Sequence, residues 1–129
     1  MTPAPTPAPI RPRITLVEDD ASLLGALTFA FETDRFAVAP YRAARRALED
    51  CRPCDCLVVD LRLPDMDGLT LIDQFRDRGV NAPAILITTN PDERCRTRAA
   101  NAQVVIVEKP LLGNELRQRV AEALARSRP

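Results

Sequence analysis

Asp60 closes the apolar run Cys56-Leu57-Val58-Val59 and leads into Leu61-Arg62-Leu63-Pro64-Asp65-Met66-Asp67-Gly68. Upstream, Ile14-Thr15-Leu16-Val17 ends in Glu18-Asp19, and two later apolar runs lead to Thr88 and Lys109. Three carboxylates, a hydroxyl and an ammonium are the groups that a metal-assisted transfer of phosphoryl to a carboxylate needs. Clustered carboxylates repel one another, so holding them together calls for a cation, and hard oxygen donors suit Mg²⁺. In such chemistry the metal bridges Asp19, Asp60 and a phosphoryl oxygen. Asp60 attacks phosphorus, and Thr88 and Lys109 stabilise the equatorial oxygens.

Groups so far apart in sequence can meet only if the fold brings them to one edge. Strand-like runs at Arg13–Val17, Phe36–Ala39, Cys56–Asp60, Ala84–Thr88 and Gln103–Val107 alternate with helical patterns at Ala21–Glu32, Ala43–Asp50, Leu69–Arg78, Pro91–Ala100 and Asn114–Arg126. Leu23, Leu27, Ala30 and Phe31 share a face of the first helix, and Leu116, Val120, Ala123 and Leu124 a face of the last. This alternation predicts an α/β fold, a doubly wound five-stranded parallel sheet with helices on both faces. Ligands of such sheets bind beyond the carboxyl ends of the strands, and Glu18, Asp19, Asp60, Thr88 and Lys109 all fall there. Asp20 is a candidate cap for the first helix. Gly68 is expected to allow a tight backbone after a turn at Pro64.

The 129 residues suit one domain, and a hydrophobic content of 46% supplies its core. Residues 1–12 hold five of the twelve prolines and are expected to be a disordered leader to a domain over 13–129. Eighteen Lys and Arg balance eighteen Asp and Glu, which lacks the basic excess that nucleic-acid binding leans on. No apolar run approaches the roughly 20 residues of a membrane span, so a cytoplasmic protein without a membrane partner is expected. Histidine is absent; any phosphohistidine must therefore come from a partner. Cys51 and Cys54 precede the third strand, away from Cys95, and no histidine completes a zinc set. Their pair follows a helix rather than starting one, and Cys56 is expected in the core as a small hydrophobe.

Leu16-Val17-Glu18-Asp19-Asp20, the run from Val58 to Gly68, Thr88, and Glu108-Lys109-Pro110 resemble, in order and over residues 13–126, the receiver domain of two-component response regulators, the CheY-like superfamily. The resemblance implies a flavodoxin-like (βα)5 sheet of strand order 2-1-3-4-5. It implies that Asp60 accepts a phosphoryl group from a sensor histidine kinase or a histidine phosphotransfer protein. Mg²⁺ would be held by Asp19, Asp60 and the backbone carbonyl of Arg62, with Glu18 acting through water. Thr88 and Lys109 would bind the phosphoryl group, and Lys109–Pro110 would be cis. Such a protein is a phosphoacceptor that assists its own Mg-dependent phosphorylation and dephosphorylation, rather than an enzyme. With no output domain in the sequence, it is expected to act alone in a bacterial two-component system or phosphorelay, switching a protein–protein surface or passing phosphate onward.

Four positions depart from the family pattern. Ile106 stands where receivers carry a swinging Tyr or Phe, and its χ1 is stiff. Thr89 replaces a small residue, adding bulk beside the phosphoryl site. Leu111 and Leu112 follow Pro110 and, with Ile106, are expected either to form an apolar homodimer or partner patch or to pack locally. Ile106 also motivates an alternative, a receiver-fold interaction module that works without phosphorylation. A free-standing phosphohydrolase would need a second acid catalyst that the sequence does not offer.

Overall fold

A computed structural model describes residues 10–127. Five parallel strands, β1 (Arg13–Val17), β2 (Ala37–Tyr41), β3 (Cys56–Asp60), β4 (Ala84–Thr88) and β5 (Val104–Glu108), lie in the order β2-β1-β3-β4-β5. Five helices connect them: α1 (Ala21–Thr33), α2 (Ala44–Asp50), α3 (Gly68–Asp77), α4 (Glu93–Asn101) and α5 (Glu115–Ser127). This is the flavodoxin-like order expected. Every residue of β3 and β4 is buried, because central strands of a doubly wound sheet are covered on both faces. Side-chain alternation sends Val17, Leu57, Val59 and Leu86 toward the layer of α2, α3 and α4. It sends Ile14, Leu16, Val58, Ile85 and Ile87 toward α1 and α5.

The elements fall where expected, with shifted ends. β2 runs to Tyr41 and contains Pro40; it lies at the sheet edge, where a residue without an N–H is tolerated. Gln103 has φ 57° and stays outside β5, so the strand starts at Val104 and carries Glu108 into register with Thr88. Asp20 caps α1 as expected, its Oδ1 accepting from the Leu23 N–H at 3.1 Å. Asp92 and Asp67 cap α4 and α3 in the same way, which starts α4 at Glu93 rather than at Pro91.

The expected leader falls largely outside the described residues. Within the described part Ile10 is exposed, while the Pro12 carbonyl accepts from the Ala37 N–H at 2.8 Å. The fold thus holds the chain from Pro12. Among the described residues no helix is long and apolar enough to cross a membrane.

Candidate functional site

Glu18 and Asp19 follow β1, Asp60 ends β3, Thr88 ends β4 and Lys109 follows β5. Parallel strands in register bring these ends to one edge, as the alternation predicts. Glu18 is 0% exposed, Asp60 4% and Thr88 1%, whereas Asp19 lies exposed beside them. Lys109 Nζ reaches Asp60 Oδ2 at 3.2 Å and Glu18 Oε1 at 2.8 Å. The contact to Glu18 is off the hydrogen-bonding direction, so Oε1 has a charge partner but no aligned donor. Glu18 Oε2 accepts from the Asp20 N–H, and Asp60 Oδ1 from the Arg62 N–H, both at 3.2 Å.

Two buried carboxyls share one ammonium. Burial pushes the Glu18 carboxyl up to about 7; Lys109 opposes this and Asp60 adds to it. Burial draws the Lys109 ammonium down, but the Glu18 and Asp60 carboxylates more than offset that and hold it above its ordinary value. Three carboxylates thus lie at this edge with one ammonium.

The residues fit the cation that the fold family implies. Glu18, Asp19 and Asp60 each offer a carboxylate oxygen, all within 4.8 Å of one another, the only such acid, cysteine or histidine cluster among the described residues. An all-carboxylate donor set suits a hard divalent cation such as Mg²⁺. A second buried polar atom is also waiting for a partner: Thr88 Oγ1 has no hydrogen-bond partner among the described residues.

The segment after Asp60 closes on itself. The Leu61 N–H donates to the Ile87 carbonyl at 3.0 Å, and the Gly68 N–H to the Leu61 carbonyl at 2.8 Å. Arg62 and Asp67 pair across the loop. The tight backbone expected at Gly68 is a close approach to β3. A Cβ on it would sit 2.3 Å from the Asp60 carbonyl oxygen.

Lys109–Pro110 is cis, as expected. Thr89 is exposed at the same edge. The structure does not bring Ile106, Leu111 and Leu112 into one patch. Ile106 packs with the α2–α4 layer, Leu111 with the opposite layer of α1 and α5, and Leu112 is 80% exposed. Alternation along β5 sets the side that Ile106 faces, whereas Leu111 lies beyond the strand, in the loop after the cis Lys109–Pro110 bond.

The cysteines are free, with Cys56 and Cys95 buried and Cys51 and Cys54 half-buried. Burial pushes the Cys56 thiol up to about 12 and also raises Cys54, the opposite of an activated thiolate. Sequence reasoning overlooked Arg42 and Asp65. Both Arg42 Nε and Nη2 donate to the Asp19 carbonyl, at 3.3 and 3.2 Å. Asp65 accepts from the Ala44 and Arg45 N–H groups at 3.0 and 2.9 Å. These contacts span 20 to 23 residues, and no local pattern signals them.

Residues 14–121 match the family model of the response regulator receiver domain. The chain is 32% identical over 126 residues to nodulation protein W of Bradyrhizobium diazoefficiens, covering 95% of this chain and 56% of that protein. It is 30% identical over 119 residues to the sensor histidine kinase TmoS of Ectopseudomonas mendocina, covering 89% of this chain and 12% of that one. It thus spans about half of the first relative and a small part of the second. In fold it is similar to a CheY-like receiver domain from Methanospirillum hungatei JF-1, with a TM-score of 0.86, 21% identity, and coverage of 92% of this chain and 97% of the other. With its strand order and the acidic edge described above, the chain belongs to the response regulator receiver domain family.

Proposed function

We propose that this receiver accepts a phosphoryl group on Asp60 from a sensor histidine kinase or a histidine phosphotransfer protein. The observation that carries this reading is the pairing of buried Asp60 with Lys109 at 3.2 Å, beside a buried Thr88 hydroxyl that has no partner among the described residues. In the transfer, an Asp60 carboxylate oxygen forms a bond to phosphorus as the donor's N–P bond breaks, and the electron pair stays on the donor imidazole. Thr88 Oγ1 donates to one phosphoryl oxygen, and Lys109 Nζ neutralises charge on another. Mg²⁺, held by Asp19, Asp60 and the Arg62 carbonyl with Glu18 acting through water, would neutralise charge on the transferred group. Asp60 returns to its free state when water cleaves the acyl phosphate.

Phosphorylation replaces the single charge of the Asp60 carboxylate with nearly two on the phosphoryl group, where one lysine already faces two carboxylates. Thr88 and Lys109 are then drawn toward the phosphoryl group, and their movement shifts the surface around α4 and β5. Such a protein acts in the bacterial cytoplasm by switching a protein partner or a second copy of itself, or by passing phosphate to another histidine, without contacting nucleic acid or membrane. Ile106 favours a second reading, a receiver-fold module that signals without phosphate, because the position lacks a ring to swing.

Intact-mass measurement after incubation with Mg²⁺ and a small acyl phosphate separates the two. The expected result is one added phosphoryl group on the wild type and none on Asp60→Asn. An unmodified wild type, with no amide shift at Thr88 or Lys109 on adding beryllofluoride, would favour the phosphate-independent reading.

A further inference from the structure

The connection from β2 to α2 touches both loops that carry the acidic residues. On one side, the Glu18 N–H donates to the Tyr41 carbonyl at 3.0 Å, and the Arg42 guanidinium forks onto the Asp19 carbonyl. On the other, both Asp65 oxygens accept from the first amides of α2, Ala44 and Arg45. No side chain of α2 or its preceding residue caps that helix start, so Asp65 reaches back 20 residues to do so. Asp65 sits in the loop closed by the Gly68 N–H to Leu61 carbonyl bond, directly behind Asp60.

We propose that Arg42 and Asp65 are positioning residues that clasp the Asp19 loop to the Asp60 loop and so set the spacing of the carboxylates that hold the divalent cation. This rests on the phosphoacceptor reading given above. Neither side chain offers an atom to the cation in this role. Arg42 acts through the Asp19 backbone, and Asp65 through α2 and the loop after Asp60. Asp19 needs this support because its carboxylate lies exposed while its two partners are fixed by burial. Groups that orient metal ligands from outside the coordination sphere are worth about 10–100-fold in affinity, and two exposed loops joined through one junction belong at the lower end.

Charge alone predicts the opposite sign for Arg42, which makes the two roles separable. Removing a cation near an acidic site would tighten Mg²⁺ binding, whereas removing a clasp weakens it. Arg42→Lys keeps the charge and loses the fork. The test is Mg²⁺ titration of the full chain by calorimetry and by the amide shifts of Asp19 and Asp60, together with the Mg²⁺ dependence of phosphorylation by a small acyl phosphate. Arg42→Lys and Asp65→Ala are expected to raise the Mg²⁺ Kd about tenfold, with Asp65→Asn in between. Phosphorylation at saturating Mg²⁺ should stay close to wild type, because loose spacing is recovered once the cation is bound. Arg117→Gln, which removes the α5 pairing with Asp34 and no contact of the acidic residues, should leave the Kd unchanged.

Tighter binding by Arg42→Ala with an unchanged Arg42→Lys would reduce Arg42 to a bystander charge and overturn the clasp. Equal weakening by Arg117→Gln would mean general loosening of the fold and overturn it too. A wild type that shows no saturable shift at Asp19 and Asp60 would sink the metal reading itself, a failure distinguishable from that of the clasp.

Discussion

Lys109→Met is expected to destabilise the metal-free protein by about 1–3 kcal/mol, the cost of leaving buried acceptors without their partner. Glu18 and Asp60 are the groups left behind, at 0% and 4% exposure. Methionine keeps the length and apolar stem of the side chain, so the change isolates the charge. Burial already pushes the Glu18 carboxyl up to about 7 against the pull of Lys109, so losing the ammonium raises it further. Urea unfolding without divalent cation measures the loss.

The same variant should regain stability on adding Mg²⁺, because a cation replaces the missing charge and no longer competes with the ammonium. At a hundredfold excess over its Kd a ligand stabilises by about 2.7 kcal/mol. The variant should therefore gain more from Mg²⁺ than the wild type does. An equal response of both proteins to Mg²⁺ would mean that Lys109 and the cation do not share the same carboxylates. Phosphorylation of the variant is expected to fall even when its fold is restored, since no other ammonium reaches Asp60 Oδ2 among the described contacts.

Gly68→Ala should destabilise by about 1–3 kcal/mol through overpacking, although alanine is the better helix former by about 1 kcal/mol. The sign is decided by where the methyl group would go. It would sit 2.3 Å from the Asp60 carbonyl oxygen, 2.9 Å from Val59 Cγ1 and 3.0 Å from the Asp60 carbonyl carbon. Two of these atoms are backbone of a buried central strand and cannot swing aside, so Asp60 itself must move. A displacement of about 1 Å costs up to 100-fold in a reaction that depends on positioning, and the phosphorylation rate should fall accordingly. Gly25→Ala provides the comparison. Its Cβ would meet nothing within 4 Å, so this mid-helix change should stabilise by about 0.5–1 kcal/mol. Thermal unfolding of both variants tests the contrast, and a Gly68→Ala protein as stable and as readily phosphorylated as wild type would refute the close-approach explanation.

Much of the fold was readable from local patterns. β1, β3 and β4 begin and end where their apolar runs do, because a strand covered on both faces carries a continuous apolar signal. β2 and β5 moved by one or two residues for lack of such a signal, one at the edge with Pro40 and the other after the left-handed Gln103. Ile106, Leu111 and Leu112 look contiguous in sequence terms, yet alternation along β5 and the loop after it sends them to different places. The sequence predicts a tight backbone at Gly68, but not that the space it leaves lies beside Asp60, a partner eight residues away on another element.

The order of polar residues closing successive apolar runs determined, by itself, that Glu18, Asp19, Asp60, Thr88 and Lys109 would share one edge. A parallel sheet with right-handed crossovers leaves strand ends no other arrangement. Only the tertiary structure decided how they are held there. Burial, which pushes Glu18 up, depends on helices packed on both faces of the sheet. The hold of Arg42 on Asp19 and of Asp65 on α2 joins loops more than 20 residues apart. Periodicity reports what a residue does for its own element. It carries no record of the bonds a side chain makes to the backbone of another.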